Sequence, residues 1–204
     1  MRRIAAVLPL LVLIFAASAL GEEDLTDGWQ DKQAENHSLS FHDHARISDD
    51  GGVYALDAKA RNAKGIAHFT SGRYEEAAAC FENALELAPP DWAIWYNRGR
   101  ALFELGRYEN AVRCYDRAAE INPSFVTTWI DRGITLFELG MYEDATASFE
   151  RAVDLDPSSA DAWNAKGCAL FELGRYEDAA ASFEIAIDLD PSSADAWNAK
   201  GCAL

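Results

Sequence analysis

Four segments decide the fold. Residues 72–90 read GRYEEAAACFENALELAPP, 106–123 read GRYENAVRCYDRAAEINP, 140–157 read GMYEDATASFERAVDLDP and 174–191 read GRYEDAAASFEIAIDLDP. Each starts 34 residues after the one before. Working outward, the same period holds from Ala58 to the last residue. It gives units 58–91, 92–125, 126–159 and 160–193 and an incomplete unit 194–204. Trp95, Trp129, Trp163 and Trp197 form one column, and Gly65, Gly99, Gly133, Gly167 and Gly201 a second. A third is Gly72, Gly106, Gly140 and Gly174, with Tyr74, Tyr108, Tyr142 and Tyr176 two places on. Ala77, Ala111, Ala145 and Ala179 precede the rings Phe81, Tyr115, Phe149 and Phe183; Ala84, Ala118, Ala152 and Ala186 follow them. Pro89, Pro123, Pro157 and Pro191 close the units. Asp154–Leu170 recurs residue for residue as Asp188–Leu204, which marks a tandem duplication.

The pattern within a unit is two apolar-periodic helical stretches parted by the second Gly. That Gly suits the positive φ of a helix C-terminus. The Gly inside the first helix costs about 1 kcal/mol of propensity, which a close helix approach would offset, with the Ala columns as the matching small surface. Trp, Phe and Tyr fill the space between successive pairs, and Pro stops the second helix. A single pair cannot bury its apolar face, so the pairs must stack. Lys59, Arg61 and Lys64 make the first helix polar, as an end helix should be. Trp197, Ala203 and Leu204 keep the interior pattern at the other end, which predicts self-association there and suggests a piece of a longer array.

The period and the W…G…G-x-Y…A…F…A…P pattern resemble the tetratricopeptide repeat, TPR, over 58–204. The departures are Arg61 in place of Trp, and Arg98 or Lys166 before the mid-helix Gly, where the family often has Leu. The resemblance implies an all-α fold: a right-handed superhelical solenoid of antiparallel helix pairs, with the first helices lining a concave groove. Carried over by column, that groove shows Asn62, Ile66 and Phe69 from the first unit, and Tyr96, Asn97, Arg100, Phe103 and Glu104 from the second. Ile130, Asp131, Ile134, Phe137 and Glu138 come from the third; Asn164, Cys168, Phe171 and Glu172 come from the fourth. Chaperone-binding members hold a C-terminal carboxylate with Lys, Arg and Asn. The matching columns here read Asn62, Ile66, Asn97, Thr127 and Asp131, so only Asn97 agrees and that activity is not expected.

The rest of the chain reads differently. Arg2 and Arg3 precede Ile4–Gly21, which carries no charge, and Ala17-Ser18-Ala19 makes a cleavage site. Residues 1–19 therefore read as a secretory signal or membrane anchor, with everything after them exported. Residues 20–57 hold ten acids against Lys32 and Arg46, net −8, without steady periodicity, and read as an acidic flexible linker. Asn36-His37-Ser38 fits the N-glycosylation pattern. His37, His42, Asp43 and His44 cluster there, but a solvated linker accounts for them better than a metal site.

Net charge is −16, with 18 bases against 34 acids. This argues against nucleic acid, whose affinity comes from cations on phosphates. Half the residues are apolar, which excludes wholesale disorder. No Walker loop, HExxH or GxSxG occurs, and no cofactor, metal or catalytic residue is expected. Cys80 and Cys114 share a column, as do Cys168 and Cys202. Equivalent points on stacked helices lie beyond disulfide reach, so these read as packing residues. The function expected is a non-catalytic protein–protein interaction scaffold outside the cytoplasm. Its groove would take a protein or peptide partner with apolar anchors and basic residues, and membrane contact would come only through the N-terminal segment. The alternatives are an accessory array of a longer enzyme, such as a glycosyltransferase, and a structural spacer.

Overall fold

The computed structural model describes residues 52–87 and 91–203, without the side chains of 52–55, Asp195 and Cys202. Residues 1–19, Asn36 and the histidine cluster lie outside the described residues. Those from Tyr54 onward form one compact unit. It is all-helical among the described residues. The helices are α1 (Gly52–Thr70), α2 (Tyr74–Leu85), α3 (Trp92–Glu104), α4 (Tyr108–Ile121), α5 (Val126–Glu138), α6 (Tyr142–Leu155), α7 (Ala160–Glu172), α8 (Tyr176–Leu189) and α9 (Ala194–Ala203). From α2 on, each helix packs on the next in sequence. The first helices α3, α5, α7 and α9 also touch one another in turn, whereas successive second helices approach less closely. The stack therefore curves with its first helices inside.

Backbone chemistry sets the turns. At the end of α3, Gly106 has φ 68°, its N–H donates to Phe103 O (2.8 Å), and Arg107 N–H donates to Leu102 O (2.9 Å). This paired closure needs a left-handed residue, which Gly adopts without strain. Gly72, Gly140 and Gly174 repeat it. Second helices start without a side-chain cap and carry acids in the first turn instead, such as Glu143 and Asp144 in α6. Asp91 and Ser159 cap α3 and α7, accepting from Ala93 N–H (2.9 Å) and Ala162 N–H (3.2 Å). Three Trp indoles, those of Trp129, Trp163 and Trp197, tie their units to the turn before. Trp129 Nε1 donates to Pro123 O and Trp163 Nε1 to Pro157 O, both at 3.0 Å. Trp163 also packs on Ala152, Val153 and Ala162 on one side and on Ala186 and Ile187 on the other.

Helix extends beyond the repeat at its start: α1 begins at Gly52, inside the stretch 20–57 read as linker. Once the helix is anchored by Ala58 (2% exposed), each residue added before it gains a hydrogen bond at little cost. The Asp57–Arg61 pair at 3.2 Å supports that extra turn. The mid-helix glycines face the ring column, not the alanines. A Cβ on Gly133 would stand 2.5 Å from Phe149 Cε1, and Gly65, Gly99 and Gly167 meet Phe81, Tyr115 and Phe183 in the same way. A ring laid across the helix needs more room than an Ala methyl, so the missing side chain accommodates the ring. All four rings are at most 1% exposed.

Candidate functional site

The inner face is built from first-helix residues, and the second-helix tyrosines complete it. Phe69 packs on Tyr74, Phe103 on Tyr108, Phe137 on Tyr142 and Phe171 on Tyr176, with ring centroids 5.1–5.3 Å apart. Each pair joins the two helices of one unit, so the Phe stripe is part of the packing. Its rings are half-buried in three units and buried in the third, where Phe137 is 5% exposed.

Carboxylates run alongside the rings. Glu104, Glu138 and Glu172 are each half-buried. Burial raises the Glu104 carboxyl above its ordinary range, and nearby Arg100 opposes this in part. Burial alone raises Glu138. The Tyr108 phenol is raised by burial and then by Glu138 and Glu104; Tyr142 is raised by burial and then by Glu172 and Glu138. Each phenol therefore feels the carboxylates of two consecutive units, and the order along the face is Glu104, Tyr108, Glu138, Tyr142, Glu172. Among the described residues no ion pair reaches Glu138 or Glu172. Arg100 sits at the head of this track, 4.7 Å over the Phe69 ring and 5.8 Å from Tyr96. Charge is uneven along the array. Residues 58–125 carry nine bases and nine acids, and residues 126–204 carry five bases and fifteen acids.

Several residues assigned to the groove have little accessible surface. Tyr96 (6% exposed), Asp131 (5%), Ile134 (3%), Phe137 (5%), Asn164 (5%) and Cys168 (1%) are buried. In the same column Ile66 of the end unit is 42% exposed while Ile134 in the interior is covered. Tyr96 packs on Tyr115 (6.0 Å) and Phe125 (5.3 Å). The half-buried residues Asn62, Phe69, Asn97, Arg100, Phe103, Glu104, Ile130, Glu138, Phe171 and Glu172 remain accessible. Asn97 Nδ2 donates to Asn62 Oδ1 at 3.4 Å, so the one position matching the carboxylate-binding pattern is partly engaged. Asn164 stands in the column of Asn62, but Ala199 fills the place of Asn97 in the next unit. The buried Oδ1 of Asn164 accepts no hydrogen bond among the described residues. The Tyr115 hydroxyl, in a column that is otherwise Phe, is likewise buried without a hydrogen bond among the described residues.

Sequence reasoning missed a column on the opposite side. Arg98 pairs with Glu82 (2.6 Å), Arg132 with Asp116 (2.6 Å), Lys166 with Glu150 (3.1 Å) and Lys200 with Glu184 (3.2 Å). Each pair joins a first helix to the second helix of the preceding unit. These are the bases that depart from the family's Leu, and opposite charges 16 residues apart at every repeat were the available signal. Among the described residues no group of His, Cys, Asp and Glu could hold a metal, and no helix is long and apolar enough to cross a membrane. Cys80 is half-buried and Cys114 is 3% exposed; neither is in a disulfide.

Stacked antiparallel helix pairs with a Gly–ring contact in each of the four complete units define a TPR array. The family model for the cilia and flagella-associated protein 70 C-terminal domain matches residues 15–191, and the chain belongs to that family. No curated protein matches the chain in sequence. Among solved structures, MamA 41-end from Desulfovibrio magneticus RS-1 superposes with a TM-score of 0.69 at 24% identity, over 72% of this chain and 83% of that one, and shows the shared fold. YrrB, described as a TPR protein with an unusual peptide-binding site, gives a TM-score of 0.67 at 27% identity over 73% and 77%. The first TPR of Spaghetti (RPAP3), bound to the HSP90 peptide SRMEEVD, gives 0.54 at 25% identity over 55% and 89%.

Proposed function

We propose that this protein is a protein-interaction scaffold whose inner face holds an extended or helical segment of a partner that places Lys or Arg between apolar anchors. The observation that carries this is Glu138. Its carboxylate is half-buried and desolvated, no ion pair among the described residues neutralises it, and Tyr108 and Tyr142 flank it. A desolvated carboxylate gains more from an incoming cation than an exposed one, and the adjoining rings offer apolar area. Peptide binding by YrrB and by the RPAP3 repeat supports this use of the fold. The acidic excess in residues 126–204 favours basic segments and repels acidic ones. The same reading keeps the scaffold outside the cytoplasm. Arg2-Arg3, the uncharged run Ile4–Gly21 and Ala17-Ser18-Ala19 support that placement. A mature N-terminus at Leu20 would bear it out, and retention of Met1 in a cytosolic fraction would exclude it.

The test is selection of random peptides displayed against the full chain. Enrichment of sequences alternating Lys or Arg with apolar residues, with capture lost in Glu138→Gln together with Glu172→Gln, supports the proposal. Enrichment of acidic peptides, or capture indifferent to both substitutions, overturns it.

A further inference from the structure

A cleft lies on the second-helix side, between the second and third units. Asp116, Ala119 and Glu120 of α4, Pro123 of the turn that follows, Trp129 and Arg132 of α5, and Ala147 and Ser148 of α6 line this cleft, about 520 Å³ in volume. It opens here because Ala119 stands where the other units place Leu85, Val153 and Ile187. A methyl thus replaces a branched side chain.

The tryptophan column shows what the cleft lacks. In the second unit, Arg98 lies over the Trp95 ring at 6.0 Å; in the fourth, Lys166 lies over the Trp163 ring at 5.4 Å. Both cations also pair with the carboxylate of the preceding unit. In the third unit, Arg132 Nε donates to Asp116 Oδ1 and its Nη1 donates to Ser148 Oγ, both at 2.6 Å. The fork is spread between two partners, and among the described residues no cation lies over Trp129. The sequence explains the difference. Arg98 has Cys114, a weak acceptor, where Arg132 has Ser148. Lys166 has Ser182 nearby but only one nitrogen to give. Only the third unit combines an Arg fork with a Ser hydroxyl.

The geometry points to this cleft as a receptor for one basic side chain, Lys or Arg, of a bound protein segment. That side chain would take the place over Trp129 that the protein's own cation fills in the second and fourth units. Cation–ring attraction and the apolar floor of Ala119, Ala147 and Pro123 suit an alkyl stem with a charged head. The head would meet Asp116 and Glu120. Among the described residues Glu120 is held by Arg117 alone, at 2.6 Å in an exposed pair, and such a pair is readily displaced. This site is independent of the inner face, so either can fail alone.

The test uses the full chain with 15N-labelled indoles, with the Trp129 signal assigned by Trp129→Phe. The expected result is a saturable shift of that signal on adding N-acetyl-arginine amide or N-acetyl-lysine amide. N-acetyl-norleucine amide, the uncharged analogue, should leave it in place. Glu120→Gln should weaken the effect about threefold to fivefold. Arg132→Lys, expected to lie over Trp129 as Lys166 lies over Trp163, should abolish it while the other indole signals keep their positions. No saturable shift up to the solubility of the probes, an equal response to norleucine amide, or an undiminished response in Arg132→Lys would each overturn the proposal.

Discussion

Two glycines in identical sequence do different work. Gly167 and Gly201 both lie in NAKGCAL, yet a Cβ on Gly167 would stand 2.5 Å from Phe183 Cε1, while one on Gly201 meets nothing within 4 Å. Replacing an interior helical Gly by Ala gains roughly 0.5–1 kcal/mol. Overpacking against a fully buried ring costs about 1–3 kcal/mol. Overpacking wins at Gly167 and is absent at Gly201. Thermal unfolding should therefore show Gly167→Ala lowering the midpoint and Gly201→Ala holding or raising it. A loss in both variants would mean that the ring is not what the glycine accommodates. Cysteine chemistry supplies a second prediction at this scale. Burial, partly opposed by Arg98, pushes the Cys114 thiol up to about 11. A neutral thiol is thus favoured in the folded chain. That contribution is complete below the unfolded thiol's range near 8.5 and is lost as pH rises toward 11. Alkylation of the native chain at pH 8 should modify half-buried Cys80 well before Cys114. Equal rates would contradict the burial.

At the scale of the element, the caps separate local from tertiary stabilisation. Ser159 caps α7 through its hydroxyl, whereas Phe125, the equivalent residue before α5, makes no side-chain cap. Its ring packs instead on Trp92 at 4.5 Å and Tyr96 at 5.3 Å. Ser159→Ala should cost about 1 kcal/mol. Phe125→Ser, which installs the cap, should cost about 3 kcal/mol through lost packing. Denaturant unfolding measures both, and a stabilised Phe125→Ser would reverse this ranking. The helices were legible in the sequence because Gly at each turn, Pro after each second helix and the apolar period repeat at one spacing. The extra turn of α1 was not legible, since it precedes the first repeat and has no column to compare with. The Gly–ring contact was not legible either. Sequence shows that both columns recur, but which small or large residue lies opposite Gly133 depends on the angle between α5 and α6.

At the scale of the whole molecule, stacking decides what a column means. Ile66 and Ile134 share a column, yet only the interior one is covered, so a groove read position by position overstates the accessible surface. Tyr96, Asp131, Phe137 and Asn164 belong to the walls of the inner face rather than to its contact surface. The acidic track survives this correction, because Glu104, Glu138 and Glu172 stand at the accessible edge beside the Tyr rings. Burial raises the Glu138 carboxyl, and a bound cation would lower it again. Under the proposal, affinity should therefore fall on the acid side, where the free carboxyl takes up a proton that binding must release. The most direct test of the central claim is calorimetric titration of the full chain and of Glu138→Gln with one selected basic–apolar peptide. At neutral pH the substitution should cost about 1 kcal/mol, roughly a fivefold loss of affinity, and should flatten the fall of affinity toward acid pH. Equal affinity and an identical pH profile in the two chains would contradict the claim that this face takes a cationic segment.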